Sequence, residues 1–514
     1  MIPNPQTGIW SRQGLHRLLR SELQGMRVIA VSNREPYIHQ RTADGIECIQ
    51  PASGVTTALD PIMRATGGVW VAHGSGDADR MVVDRHDRVA VPVGAPAYSL
   101  RRVWLDKATE ERYYYGLANE GLWPLCHVAF HRPIFRPEDW ESYREANRIF
   151  AEAVLEEADG GPALVFIQDY HFGLLPRLLK ERNPHLTVAQ FWHIPWPNRE
   201  VFRAFPWKAE LLDGLLGNDL LGFHLRYHCA NFLDTIDRGL ESLVDAEHGD
   251  IWRGGKLTRV RPFPISIDFE QHQREACEPE IDRHMERWRR ELASDGCFLG
   301  VGIDRADYTK GIPERLRAID GFLEMRPELR GRLTFLQVAV PSRTQIREYR
   351  LVNEEIGQIA AEINAKWARG SWRPIVLCCR HLPQPELMAL HRLSHFCMVT
   401  SLHDGMNLVA KEYVASRSDE DGVLILSSFT GAARELSSAL LVNPFSVTEM
   451  AEALDRALQM GAEERRGRMC ALRATVRENN VYAWAGSVMR TLLEAERDAW
   501  PRFTEERLPM ASAM

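Results

Sequence analysis

The chain has 514 residues, 45% of them hydrophobic and 26% charged, with a formal net charge of -7. That length exceeds what one core serves and points to at least two domains, and the composition is that of a globular rather than a disordered protein. The acidic balance argues against a general nucleic-acid or anionic-membrane binder, so a basic cluster inside it reads as a local anion site.

The nine cysteines lie scattered without a CxxC pair among apolar neighbours, as buried thiols in a reducing compartment do. Among the 18 histidines no metal-ligand cluster stands out. No secretory apolar region opens the chain and no apolar run approaches the ~18 residues that span a bilayer, so a cytoplasmic protein is expected. Residues 10–23 place Leu15, Leu18, Leu19 and Leu23 among Arg12, Arg17 and Arg20, an amphipathic basic helix expected to dock on its own domain.

Taken in order, residues 27–31 read as a buried strand that runs into Ser32, Asn33 and Arg34. Pro36 stops regular structure, which places Arg34 on a loop, and a long polar loop is expected from there to Gly54. Gly54 precedes a helical stretch at 55–63 and reads either as a plain turn or as a point where backbone approaches a ligand. A second strand at 69–72 leads to Asp77 and Asp79, an Asp-x-Asp that reads as a solvated acidic turn ahead of a metal site. Tyr113, Tyr114, Tyr115 and Trp123 gather rings in a loop-rich stretch, suited to a sugar face or to a core. After a helix at 140–157, the apolar run 163–167 is typical of a parallel strand covered on both faces and ends at Gln168, Asp169, Tyr170 and His171. The run 186–192 repeats that grammar and ends at His193. Asp169 and His193 thus reach strand C-termini, where open α/β sheets bind ligands.

Proline-rich residues 261–268 break the periodicity and mark the domain junction, followed by a polar helix at 278–292. The strand at 297–303 then delivers Asp304, Arg305, Asp307, Lys310 and Gly311. Arg305 and Lys310 can neutralise a diphosphate there, ahead of the blander reading as a surface ion-pair cluster. The strand at 333–340 ends before Arg343, another cation at a strand end, and further strands fall at 374–379, 395–400, 423–426 and 440–442.

The most informative stretch is SLHDGMNLVAKEYVA, residues 401–415. A strand gives way to a turn of Asp404, Gly405, Met406 and Asn407, and a helix opens at Leu408. Unpaired N–H groups of Leu408 and Val409 at the positive end of a helix dipole suit a diphosphate, and Glu412, one turn further in, suits ribose hydroxyls. The alternative is that Asn407 is an ordinary cap and Glu412 a solvated charge. The βα alternation in two halves implies an α/β protein of two doubly wound domains facing each other across a cleft.

SNR at 32–34, Asp169-Tyr170-His171, His193-Ile194-Pro195, DRxDYxKGIPER at 304–315 and DGMNLVAKEY at 404–413 together resemble the trehalose-6-phosphate synthase family, in register from about residue 27 to 490. The resemblance implies the GT-B arrangement of two Rossmann-like domains. It also implies a nucleotide-sugar donor, UDP-glucose foremost, a phosphorylated acceptor, retaining transfer, and no metal or other cofactor. The domains it implies are an N-terminal segment at 1–26, an acceptor domain at 27–268, a nucleotide-sugar domain at 269–475, a helix crossing back at 476–503 and a tail at 504–514.

Carried over by position along that resemblance, the catalytic group would be Arg305, Lys310, His193 and Asp404. The donor would meet Gly54, Arg305, Lys310, the backbone at Leu382, Asp404, Gly405, Met406, Asn407, Leu408, Val409 and Glu412. The acceptor would meet Arg34, Tyr114, Trp123, Asp169 and Arg343. Three features depart from the family: Gln168 stands where a His is frequent, Ser53 replaces the first glycine of a pair, and the loop after Arg34 is long. Arg34-Glu35-Pro36-Tyr37 also looks like glucosylglycerol-phosphate synthases, which use glycerol 3-phosphate, whereas Arg343 after Pro-Ser looks like the trehalose-phosphate branch. A non-catalytic sugar-phosphate sensor is the reading from another class, and assembly into a homo-oligomer stays open.

Overall fold

The computed structural model describes residues 9–23, 26–50, 54–292 and 297–499. Ser53 and the tail at 504–514 lie outside the described residues. The chain divides into two compact units. One takes the described residues of Met1–Leu122, Ile134–Phe263 and Tyr482–Met514; the other takes Trp123–Pro133 and Pro264–Val481.

The first unit is built on a ten-stranded sheet. From edge to edge its strands are Leu243–Asp245, Asp250–Arg253, Lys256–Pro262, Leu220–Phe223, Thr187–Phe191, Ala163–Gln168, Arg27–Arg34, Val69–His73, Tyr98–Val103 and Arg88–Val91. The run from Lys256–Pro262 through Tyr98–Val103 is parallel, and antiparallel strands close both edges. Ala163–Gln168 and Thr187–Phe191 are buried at every position, which is why they read as continuous apolar runs. The helix Arg12–Leu23 buries Leu15, Leu18, Leu19 and Leu23 in this unit and turns its arginines outward.

The second unit holds a six-stranded, fully parallel sheet in the order Ile375–Cys378, Leu333–Pro341, Phe298–Ala306, Phe396–Val399, Val423–Ser427, Leu440–Val442. Numbered along the chain that order is 3-2-1-4-5-6, the dinucleotide-binding order, whose crevice opens between strands 1 and 4. The parallel core of the first sheet repeats it, with Arg27–Arg34 as strand 1 and Ala163–Gln168 as strand 4.

Four expectations are corrected. Residues after Arg34 form a hairpin, Ile38–Thr42 on Gly45–Ile49, rather than a loop. Ala43 and Asp44 form its two-residue turn, and Gly45, at φ 132°, opens the second strand. Arg34 itself is the last residue of its strand, where the register shifts by a bulge. The tyrosine-rich stretch is a π-helix, Glu111–Leu122, continued by the α-helix Trp123–His127. The thiols are not uniformly buried, since Cys277 and Cys379 are exposed. Among the described residues no helix is long and apolar enough to cross a membrane.

Candidate active site

In the second unit the groups expected at the donor gather at the switch point, the C-terminal ends of Phe298–Ala306 and Phe396–Val399. Beneath them lies a buried polar frame. Arg315, 0% exposed, donates to Asp304 Oδ2 at 2.7 Å, Gln337 Oε1 at 2.9 Å and Thr400 Oγ1 at 2.9 Å. A side chain at Gly302 would meet Arg315 Nη1 at 2.5 Å, so glycine is needed for the guanidinium to fit. Breaking so buried a pair on one side costs about 3–5 kcal/mol, because the remaining charge is stranded. Arg315 therefore supports the site without entering it, a role its place in the 304–315 motif leaves undistinguished from binding.

On this frame Lys310 Nζ donates to Asp404 Oδ2, which also accepts from Ser401 Oγ at 3.3 Å and Asn407 Nδ2 at 3.2 Å. Burial opposes ionisation of Asp404, but the charge and hydrogen bond of Lys310, with the hydrogen bond from Asn407, outweigh it and hold the carboxyl well below the usual range. Gly311, at φ 61°, brings the turn against the strand end, where a Cβ would meet the Thr400 carbonyl at 2.2 Å. The Asp404 turn is pinned to its neighbour by Asp404 N–H to Phe429 O at 3.2 Å and Gly431 N–H to Asp404 O at 3.1 Å.

Asn407, at φ 80°, caps the helix Leu408–Ser416 by accepting from Ala410 N–H at 3.2 Å. That leaves the N–H groups of Leu408 and Val409 without an intrahelical acceptor at the dipole's positive end. At the other end Arg473 donates to the carbonyls of Val414 and Ala415 at 3.1 Å, and buried Lys411 ties the helix to Ile265 O at 2.8 Å. The helix is thus held by its far turn and open at its near one. Glu412 is half-buried rather than solvated, and burial pushes its carboxyl up to about 7. Gly405 and Met406 are buried in the turn, and Leu382 is buried just beyond the edge strand Ile375–Cys378.

Arg343 and Trp123 come together in this unit, the arginine carbon lying 4.4 Å from the centre of the indole and that of Arg305 5.5 Å from it. Arg343, in the left-handed region at φ 49°, also donates to Tyr349 Oη and lies 3.7 Å from Asp307. Burial opposes ionisation of Asp307, yet Arg305, Arg343 and Lys310 together hold its carboxyl below the ordinary value. Trp123 is placed by its short helix, whose His127 carbonyl accepts from His403 Nδ1 at 2.6 Å. Burial pushes His127 down to about 3, so that ring is neutral.

The remaining expected residues belong to the first unit. Arg34 is exposed at its strand end and donates to Tyr114 Oη at 3.3 Å, while Tyr114 stacks on His171 with ring centres 5.7 Å apart. Gly54 is the first residue of the helix Gly54–Thr66. Asp169 follows the switch strand Ala163–Gln168 at φ 73°, a strained value for a non-glycine residue. Its Oδ1 accepts from the N–H groups of Tyr170 at 3.0 Å and His193 at 3.2 Å, and its own N–H reaches Phe191 O at 2.7 Å.

Behind Arg34 sits a cluster that sequence reasoning missed. Arg102 and Glu35 are both fully buried and paired at 2.8 Å, and Arg102 also meets Asp79 at 2.7 Å. Asp79 accepts from His39 N–H at 2.8 Å and Asp77 from Arg41 N–H at 2.8 Å, so the two clasp the hairpin. Asp79 is buried, which corrects its reading as part of a solvated turn, whereas Asp77 is exposed as that reading has it. Burial, with Asp79 alongside, raises the Glu35 carboxyl to about 7.

The family description "Glycosyltransferase family 20" matches residues 26–494. The trehalose-6-phosphate synthase of Mycobacterium leprae (strain TN) is 37% identical over 481 residues, covering 92% of this chain and 95% of that one. That of Mycolicibacterium vanbaalenii is 36% identical over 506 residues, covering 96% and 99%. Among solved structures, one described as "Trehalose-6-phosphate from E. coli bound with UDP-2-fluoro glucose" superposes with a TM-score of 0.81 at 30% identity, over 91% of this chain and 99% of that one. The UDP-forming alpha,alpha-trehalose-phosphate synthase of Burkholderia xenovorans in complex with glucose-6-phosphate gives 0.81 at 31% identity, over 91% and 99%. With two sheets of the dinucleotide-binding order, and a match along nearly its whole length, this chain belongs to glycosyltransferase family 20.

Proposed function

We propose that this protein transfers glucose from UDP-glucose to glucose 6-phosphate with retention, forming α,α-trehalose 6-phosphate. The observation that carries this reading is the second unit's switch point. There Lys310 on Asp404, the open N–H groups of Leu408 and Val409, and Glu412 form one strand-turn-helix unit. The N–H groups and the cations Arg305 and Lys310 take the diphosphate, and Glu412 takes the ribose hydroxyls. As the bond to glucose breaks, negative charge collects on the leaving diphosphate, and cations already in place lower that barrier. Asp404, held ionised, cannot serve as a general acid; it orients Lys310 and accepts from the transferred sugar.

No enzymatic nucleophile is required, because the departing diphosphate takes the proton of the acceptor hydroxyl. Arg34 with Tyr114, and Arg343 with Trp123, are assigned to the acceptor, whose phosphate suits a guanidinium. A cytoplasmic setting fits nine free cysteines.

The test is turnover of purified protein with UDP-glucose, offering glucose 6-phosphate and glycerol 3-phosphate separately and identifying the product by mass and NMR. A disaccharide phosphate formed only with glucose 6-phosphate is the expected result. Product only with glycerol 3-phosphate overturns the acceptor, and binding without turnover turns the protein into a sensor.

A further inference from the structure

Gln168 ends its strand 1% exposed, and its two amide atoms face different partners. Its Nε2 donates to Ile167 O at 3.1 Å, which turns Oε1 toward His193 Nε2 at 2.9 Å. An amide oxygen only accepts, so this contact needs the proton on His193 Nε2, and the Nδ1 of the neutral ring then carries the lone pair. The other groups around His193 do not compete for that role. Asp169 accepts from its backbone N–H, His224 Nε2 meets its carbonyl at 3.0 Å, and Phe191 packs on the ring at 4.6 Å between centres. Burial pushes the imidazole down to about 3, so it stays neutral across the working range.

We infer that Gln168 is a positioning residue that fixes His193 as the Nε2–H tautomer and so presents Nδ1 as an acceptor to a hydroxyl of the bound sugar. The sugar as owner of that hydroxyl rests on the glucosyl-transfer reading; the tautomer does not. A ring carrying its proton on Nδ1, or on both nitrogens, presents a donor where a hydroxyl oxygen must then accept. The geometry of the hydroxyl's own proton is thereby reversed.

The experiment is NMR of histidine-15N-labelled full-length protein without substrate, with the His193 signals assigned by their loss in His193→Gln. Expected is one protonated Nε2 and one unprotonated Nδ1. Gln168→Leu, similar in size but unable to accept, should give mixed tautomers and lower kcat/KM about tenfold, the worth of one hydrogen bond. Gln168→Glu keeps an accepting oxygen and therefore the Nε2–H form at high pH. Its carboxylate also favours the imidazolium at low pH, so its kcat profile, taken at saturating UDP-glucose, should gain an acid limb that the natural protein lacks. That variant carries the test where the leucine one does not fold. A natural His193 protonated on Nδ1 or mixed, or a Gln168→Glu profile without the new limb, overturns the inference. Correct tautomers with no transfer to glucose 6-phosphate instead sink the functional reading alone.

Discussion

At the switch point of the six-stranded sheet the groups are charged and paired: Lys310 on Asp404, and Arg305 and Arg343 around Asp307. At the switch point of the ten-stranded sheet, Asp169 is fixed by backbone N–H groups and His193 is a neutral ring, with Arg34 exposed in front of the buried Glu35 and Arg102 pair. Strand order is shared, so topology alone does not set this difference. Lys310 on Asp404 and the neighbouring Arg305 suit a diphosphate that gains charge as it leaves, whereas hydrogen-bond acceptors and an exposed guanidinium suit hydroxyls and a phosphate that does not react.

The comparison breaks most visibly at Lys310. Lys310→Met removes the cation assigned to the leaving group and strands Asp404, and it should lower kcat about 100- to 1,000-fold, as loss of a preorganised electrostatic contact does. Steady-state kinetics with UDP-glucose decide it, and a kcat within threefold of the natural protein would show that the pair has no part in the chemistry.

A smaller effect separates the two arginines assigned to the acceptor. Arg34→Ala removes an exposed, singly bonded guanidinium, and the acceptor KM should rise about 10- to 100-fold, worth ~1.5–3 kcal/mol, at unchanged Tm. Arg343→Ala should raise the acceptor KM similarly but also lower the Tm, since it takes away a stack on Trp123 and a bond to Tyr349. Paired kinetics and thermal melts read both. An Arg343→Ala protein with unchanged acceptor KM and a lowered Tm would leave that residue a purely structural role.

The strands Arg27–Arg34, Val69–His73, Ala163–Gln168 and Thr187–Phe191, those of the second sheet, and the turn at 401–415 were legible because a strand buried on both faces is an unbroken apolar run and a helix start carries its own cap. The flanking strands, such as Lys256–Pro262 with its KLTRVRP, were not read because half-exposed strands alternate charged and apolar residues and resemble loops. The hairpin after Arg34 was missed for the same reason, although Asp44-Gly45 is a turn signal. Cations at strand ends were legible by type, but not which of them is load on the frame. Arg315 and Arg305 sit in one motif, and only burial tells that the first is sealed in and the second partly open. The excursion of Trp123–Pro133 into the second unit has no sequence signature, because it depends on contacts far along the chain.

The smallest expected effect is the most diagnostic of the second unit's open helix end. Glu412 is held at about 7 by burial alone, so near neutral pH it is partly protonated. If it accepts ribose hydroxyls, its ionised form binds better, and the donor KM should fall about fivefold as pH rises through 7, the difference between a charged and a neutral hydrogen bond. The sign for folding is opposite. A carboxyl raised above its unfolded value near 4.5 favours the folded state below that value, and this contribution is lost as pH climbs from about 4.5 to 7. Glu412→Gln should therefore flatten the donor KM profile and remove that part of the pH dependence of stability together. A KM profile that keeps its slope in Glu412→Gln would place the titrating group elsewhere and leave the helix N-terminus, without its carboxylate, as the donor's anchor.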